Sequence, residues 1–356
     1  MFKRMIVAAV ALAVAFCMTA GVDAAPEAVR HTKDDTWLVY WYVCGTDLEQ
    51  MASADFDEML KVKLSPNVKV LINANGVFQW KHHSILNDTG NGIYLYDSDG
   101  LHKIAAWKAD MGEPDTLKKF LKFGEENYTA DHRILIFGNH GGLNGLCYDD
   151  FFDANPKPEK KHNLTYDDLR KVFASVYGNS SGKPFELIGF DTCLSGSYEL
   201  ANSIADFSYY MIGSEPSENG WFQTPWFVAL SNNPSMNGAA IGRVICDGTM
   251  AYYEANDFKR KDVNAFSVIN LSKMPQLSKA YEKYFSEAKH LADIQKGFSG
   301  AFARAAEARS TERYENLYVD LGTLAENTKN ILPGTSEELL DAIHTFRPEK
   351  TLQEIT

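Results

Sequence analysis

Two short apolar runs, each stopping at a chemically capable side chain, constrain this 356-residue chain more than any other feature. Arg133 to Phe137 runs into Gly138-Asn139-His140-Gly141-Gly142, and Phe185 to Phe190 runs into Asp191-Thr192-Cys193. Runs that are apolar without alternation suit strands buried on both faces, the pattern of a parallel sheet, and such sheets bind ligands beyond their carboxyl ends. Between the two runs lie a loop and a helix expected over Tyr166 to Tyr177 with Thr165 as its cap. That is length enough for a right-handed crossover between parallel neighbours. An imidazole and a thiol would then stand at adjacent strand ends.

The rest of the first two thirds repeats the alternation of strand and helix. Strands are expected at Trp37–Val43, Val68–Asn73 and Tyr209–Gly213, and helices at Asp47–Leu60 and Asp115–Tyr128. Val77 to Leu86 and Gly92 to Tyr96 read as a hairpin-like excursion, with Asp97-Ser98-Asp99-Gly100 as a turn. Beyond residue 225 the pattern is mainly helical, notably Gln276 to Ile294. The expectation is an α/β fold, a three-layer α/β/α sandwich with a mainly parallel central sheet and a helical C-terminal subdomain. Residues 36–230 would form the α/β core and 231–356 the mainly helical region.

An apolar content of 45% and a charged content of 23% are those of a globular protein. The net charge of −12 leaves no basic surplus to neutralise phosphates, which argues against nucleic acid as a partner. The N-terminus differs from the rest. Met1-Phe2-Lys3-Arg4 is a basic leader, Met5 to Phe16 is apolar, and small-residue cleavage sites follow at Met18-Thr19-Ala20 and Val22-Asp23-Ala24. We read residues 1–24 as a signal peptide, 25–35 as a flexible lead-in, and the mature protein as exported, periplasmic or extracellular, monomeric and not membrane-embedded. Cys17 leaves with the signal, and Cys44, Cys147, Cys193 and Cys246 are too sparse for a disulfide scaffold. Cys44, Cys147 and Cys246 are expected as buried small side chains, with one disulfide among them as the alternative.

His140 and Cys193 make a nucleophile–base pair. The thiolate attacks, an imidazole beside it lowers the thiol pKa, and the same ring can protonate a leaving amine. Gly141 and Gly142 let backbone approach a substrate, so an N–H there can join the Cys193 N–H in an oxyanion hole. Asp191, two residues before Cys193, shares its face if the strand stays extended, and a carboxylate there can bind a cationic side chain. Each signal alone also has a structural reading: a strand-end histidine, a core cysteine, an aspartate capping the next helix. The weight lies in their joint placement.

At these residues the chain resembles the clostripain-like cysteine peptidases, relatives of caspases, gingipains and legumains. The similarity runs from about Trp37 to Leu324 and rests on the order of several blocks. These are Trp37 to Glu49, Asp110 through His140-Gly141-Gly142, Phe190-Asp191-Thr192-Cys193-Leu194, Ser214-Glu215 through Gly220-Trp221, and Tyr318-Val319-Asp320-Leu321. The resemblance implies a caspase-like fold and an endopeptidase cleaving protein or peptide substrates after Arg or Lys. It makes His140 and Cys193 the dyad and Asp191 the determinant for the basic residue. It also implies self-cleavage in the loop between the dyad partners, at Lys160 or Lys161, since Lys157 precedes Pro158. Leu143 and Asn144 depart from the family's glycine and aromatic, and Asn139 replaces the acid often found before the histidine. No cofactor is expected. Calcium stays open through Asp149, Asp150 and Asp153, which lack the regular spacing of a calcium loop. Glu215 and Glu218 read either as lining the cleft or as caps. A transpeptidase or ligase using the same dyad, and an exported binding protein on a peptidase-like fold, are the alternatives.

Overall fold

The computed structural model describes residues 31–142, 145–149, 162–178, 180, 182–256, 265–311, 313–314 and 318–346. The expected signal peptide, Leu143, Asn144, Asp150, Asp153 and the lysines at 157, 160 and 161 lie outside the described residues.

The strands of the main sheet are β1 (Trp37–Cys44), β2 (Val68–Asn75), β3 (Gly92–Asp97), β4 (Gly100–Ala105) and β5 (His132–Gly138). The small ladder β6 (Gly141–Gly142) with β7 (Gly145–Leu146) follows, and then β8 (Phe185–Asp191), β9 (Ser208–Ser214) and β10 (Phe266–Asn270) complete the main sheet. The eight-stranded order is β10-β9-β8-β5-β1-β2-β3-β4. Strands β9, β8, β5, β1 and β2 are mutually parallel, and antiparallel strands close both edges. From β1 the chain steps to β2 on one side and later returns to β5 on the other. The β1/β5 gap is therefore a topological switch point, where the connections leave in opposite directions and open a crevice. His140 follows β5, with Cys193 at the next strand over.

Alternation along β1 sends side chains to both faces, because successive Cβ atoms point to opposite sides. Leu38, Tyr40, Tyr42 and Cys44 enter one core, and Trp37, Val39, Trp41 and Val43 the other. The helices α1 (Glu49–Leu60), α2 (Ser84–Thr89), α3 (Pro114–Asn127), α4 (Tyr166–Tyr177), α5 (Tyr198–Ile204), α6 (Thr224–Asn232) and α7 (Gly238–Ala255) precede β10. The first core is covered by α3, α4 and α5, the second by α1, α6 and α7. Helix α4 starts at a capping box in which Thr165 Oγ1 accepts from Asp168 N–H and the Asp168 carboxylate accepts from Thr165. The expected sandwich and the parallel pairing of the two chemically marked strands are both present.

Two local expectations are corrected. Val77 to Leu86 forms no strand. It is an irregular segment leading into α2, whose cap is His83 Nδ1 accepting from Leu86 N–H at 3.2 Å. Of its apolar residues, Val77, Trp80 and Leu86 are buried as anchors rather than as a pleat, and Phe78 and Ile85 are exposed. The turn at Asp97 to Gly100 joins β3 to β4 instead. Beyond residue 225 the helices α8 (Met274–Ile294), α9 (Phe298–Ala306), α10 (Leu321–Thr328) and α11 (Pro333–Phe346) come with strand β10, which pairs antiparallel with β9. Residues of α8, α10 and α11 share the first core with the sheet. No described helix is long and apolar enough to cross a membrane.

Candidate active site

Among the described residues three non-glycine residues hold positive φ, and each adjoins or bonds a residue of the site. They are Thr46 (φ 47°), Cys147 (φ 56°) and Leu194 (φ 55°). Such conformations cost energy for side chains with a Cβ and persist where surrounding structure over-determines them. Thr46 turns the chain after β1, presenting Asp47. Cys147 donates its N–H to His140 O at 3.1 Å. Leu194 bends the chain directly after Cys193, and its N–H donates to Pro216 O at 3.1 Å. Ser195 Oγ donates to Thr192 O and accepts from Ser214 N–H, bracing the cysteine turn on the end of β9.

His140 and Cys193 line one cavity of about 180 Å³. His140 Nε2–H donates to Asp47 Oδ1 at 2.9 Å. Because a carboxylate only accepts, that contact places the ring proton on Nε2 and leaves the lone pair of the neutral ring on Nδ1. Burial alone would raise the Asp47 carboxyl, but hydrogen bonds from His140 and Thr46 hold it below its ordinary range. The pair is open to solvent, with the His140 side chain 44% and Asp47 64% exposed. Cys193 Sγ accepts from Glu218 N–H at 3.4 Å and donates toward Glu218 O at 3.7 Å. Gly141 packs on the cysteine turn so tightly that a Cβ there would stand 2.3 Å from Cys193 O and 2.7 Å from Thr192 Oγ1. Only glycine allows this approach of the histidine hairpin to the cysteine turn.

Asn139 explains one departure from the family pattern. Its Nδ2 donates to Cys44 O at 2.6 Å and to Thr46 Oγ1 at 2.9 Å, and its Oδ1 accepts from Tyr148 N–H at 2.9 Å. The amide ties three chain segments together behind the histidine. An aspartate could not donate to Cys44 O, and could meet Thr46 only as an acceptor of its hydroxyl proton.

The cavity lining is acidic. Asp191 is buried there, its Oδ2 accepting from Gln223 Nε2 at 3.0 Å and its Oδ1 lacking a hydrogen-bond partner among the described residues. Asp55 of α1 and Glu218 line the same cavity. Gln223 is fixed by Trp226 Nε1, which donates to its Oε1 at 2.9 Å, so the amide nitrogen faces the carboxylates. Gly220, at φ 89°, donates its N–H to Glu218 Oε2. Burial pushes Asp191 well above the ordinary carboxylate range, and the neighbouring Glu218 and Asp55 push it further. Burial raises Glu218 to about 7 against the pull of the Gly220 N–H. Asp55 is raised by burial and by Glu58 and Glu218.

A carboxyl whose folded pKa lies above its unfolded one binds more protons in the native state, so its stabilising effect is complete below the unfolded pKa and lost as pH rises. For Glu218 the window runs from about 4.3, the unfolded value, to about 7. Equilibrium unfolding of the ligand-free protein is therefore expected to show stability declining across that window. Glu218→Gln should remove about 1–3 kcal/mol of the decline. An unaltered slope in the variant would contradict the arrangement.

Sequence reading placed His140, Cys193, Gly141 and Asp191 together, and they are together here. It missed Asp47, Asp55 and Gln223. For Asp55 a signal existed: Leu48, Met51, Ala52 and Asp55 follow the helical spacing of one face, and a carboxylate within an apolar stripe is out of pattern. Lys160 and Lys161 lie outside the described residues, but the chain leaves and returns at one place. Asp149 N–H donates to His162 O at 2.8 Å, and Leu146 pairs with Leu164 in both directions at 2.9 Å. No disulfide joins the four described cysteines, and Cys44, Cys147 and Cys246 are buried.

The Asp149 carboxylate accepts from Met111 N–H at 2.9 Å. Asp110, Glu113 and His162 present ligand atoms within 4.8 Å of one another, as do His31, Asp35 and His132. Both sets include imidazole, whereas calcium takes oxygen ligands, so neither fits that ion.

The clostripain family model matches residues 40–352. Over 106 residues the chain is 34% identical to clostripain of Hathewaya histolytica, a match spanning 27% of this chain but only 18% of that relative. An inactive zymogen of a C11 protease from Parabacteroides distasonis superposes with a TM-score of 0.61 at 14% identity, over 88% of this chain and 83% of the other. A secreted C11 cysteine protease from Bacteroides thetaiotaomicron, in complex with an irreversible peptide inhibitor, gives 0.60 at 19% identity over 88% and 83%. Those two likenesses concern the fold; the family model reaches from β1 through the last described helix, and on it the chain belongs to the clostripain family of cysteine proteases.

Proposed function

We propose that the protein is an exported cysteine endopeptidase that cleaves after Arg or Lys and activates itself by cleavage at Lys160 or Lys161. The observation that carries the reading is the single cavity lined by Cys193 and His140 together with Asp191, Asp55 and Glu218. A guanidinium or ammonium entering there meets one buried and two half-buried carboxylates whose charged forms are disfavoured until a cation arrives. That cost makes a neutral P1 side chain a poor substitute and a basic one a good fit.

In the reaction, His140 takes the Cys193 proton and the thiolate attacks the scissile carbonyl carbon. The oxygen gains negative charge, which backbone N–H groups at Gly141 and Cys193 are placed to receive in this reading. Collapse breaks the C–N bond, the leaving amine takes the proton from His140, and an acyl thioester remains on Cys193. Water, deprotonated by the same imidazole, hydrolyses the thioester and returns the thiol. Asp47 orients the ring from outside. As a solvent-exposed pair it contributes at most about 1 kcal/mol, so Asp47→Ala is expected to lower kcat/KM no more than about 5-fold. A loss of several hundredfold in that variant would show that the carboxylate does more than position the ring.

The test of the whole reading is turnover by the purified protein of reporter peptides ending in Arg, Lys or an uncharged isostere, with intact-mass analysis of the protein itself. Basic reporters are expected to be cleaved at least about 100-fold faster, and the incubated chain to yield two fragments meeting at Lys160 or Lys161. Equal cleavage of all reporters would remove the basic preference, and no cleavage at all would remove the peptidase reading.

A further inference from the structure

A second, larger cavity of about 420 Å³ lies across the cysteine turn from the acidic one. Cys193 lines the first cavity and Leu194 the second, so one bend of chain separates them. The loop after β9 also serves both, with Glu215 at the second cavity and Glu218 to Gly220 at the first. The volume falls in the range of ordinary ligand pockets. One wall is an aromatic row left only partly buried. The rings of Tyr198 and Tyr281 stack at 4.1 Å with 6° between planes, and Tyr281 meets Phe285 at 4.6 Å. Glu199, Glu215 and Asp320 are the charged residues of the lining, and among the described residues no lysine, arginine or histidine contributes to it.

We propose that this cavity is a second substrate-binding site, taking a large aromatic or aliphatic side chain of the same peptide whose basic residue occupies the acidic cavity. The inference rests on the peptidase reading above and adds a second requirement to the substrate. Adjacency to the first cavity supports it, since the segment from Glu215 to Gly220 lines both and Glu218 N–H donates to Cys193 Sγ. Glu215 and Glu218 are three positions apart, roughly 10 Å of extended chain, so the second side chain sits about two to four residues from the basic one. The acidic rim selects against Asp or Glu at that position and favours peptides with further positive charge.

The experiment is fluorescence anisotropy with Cys193→Ala protein and a set of labelled Arg peptides. Each carries Phe, Ala or Glu at one position two to four residues from Arg, on either side. At one position Phe is expected to bind at least about 10-fold tighter than Ala, and Glu weaker than Ala. In Tyr281→Ala, and in Leu277→Trp, which fills the cavity, the Phe-to-Ala affinity ratio should fall to about 2 or less. Circular dichroism confirms that each variant is folded, and either variant alone suffices. No position with a Phe gain, or a gain that survives both variants, overturns the proposal. Cleavage of basic reporters by the wild type without any Phe gain would sink this inference and leave the peptidase reading standing. Phe-dependent binding without turnover would do the reverse.

Discussion

Cys193→Ala is expected to lose reporter cleavage by about 10⁴-fold or more while remaining folded. The size follows from the role proposed for the thiol. It supplies the electron pair that forms the acyl-enzyme, and of the two cysteines lining the cavity, Cys44 and Cys193, Cys193 is the one that is not buried. Cys44 is buried at the end of β1 with its Sγ 3.9 Å from Tyr148 O. Removing the Cys193 Sγ forfeits the long contacts to the Glu218 backbone, so stability should change by about 1 kcal/mol. Intact-mass analysis of the variant should also show a single uncleaved chain. Retained cleavage of either reporter or chain would sink the assignment of Cys193 as nucleophile.

Asp191→Asn is expected to act in opposite directions on activity and stability. On the proposed reading it removes the buried charge opposite a basic P1 side chain, and truncating one partner of a buried charge pair costs about 2–5 kcal/mol. That corresponds to a fall in kcat/KM for Arg and Lys reporters of about 30- to 5,000-fold. Without substrate the same carboxylate is a burden, since burial and the adjacent Glu218 and Asp55 disfavour its charge. The isosteric amide removes that conflict, so the thermal midpoint at neutral pH should hold or rise. Reporter kinetics and a melting curve on one preparation check both signs. Full activity toward basic reporters would remove Asp191 from specificity, and a lowered midpoint would point to a misfolded variant instead.

The legibility of the site divides by how local its causes are. His140 and Cys193 could be read because each ends an apolar run, and a run buried on both faces carries its own signature. The loop and capped helix between them set a crossover, and the crossover made them parallel neighbours, as β5 and β8 are. The same locality made α3, α4 and the Asp97 to Gly100 turn readable. Asn139 was visible as a departure, but its reason was not: its partners Cys44, Thr46 and Tyr148 come from elsewhere in the chain. Val77 to Leu86 misled because apolar anchors under an irregular segment resemble a strand when only composition is weighed.

What the amino-acid sequence determined by itself was thus the layered α/β architecture, the adjacency of the two chemically marked strands and the two chemical groups at their ends. Periodicity, caps and crossover length act over a few residues or one connection. What only the tertiary structure decided was the company those groups keep. Asp47 meets His140 from the end of β1, and Asp55 and Gln223 close on Asp191 from α1 and from the approach to α6. The aromatic cavity beyond Leu194 draws its walls from α5, α8 and the segment around Tyr318. These meetings depend on which distant elements pack side by side, and burial energy fixes that only for the whole assembled core, not for any stretch of chain alone.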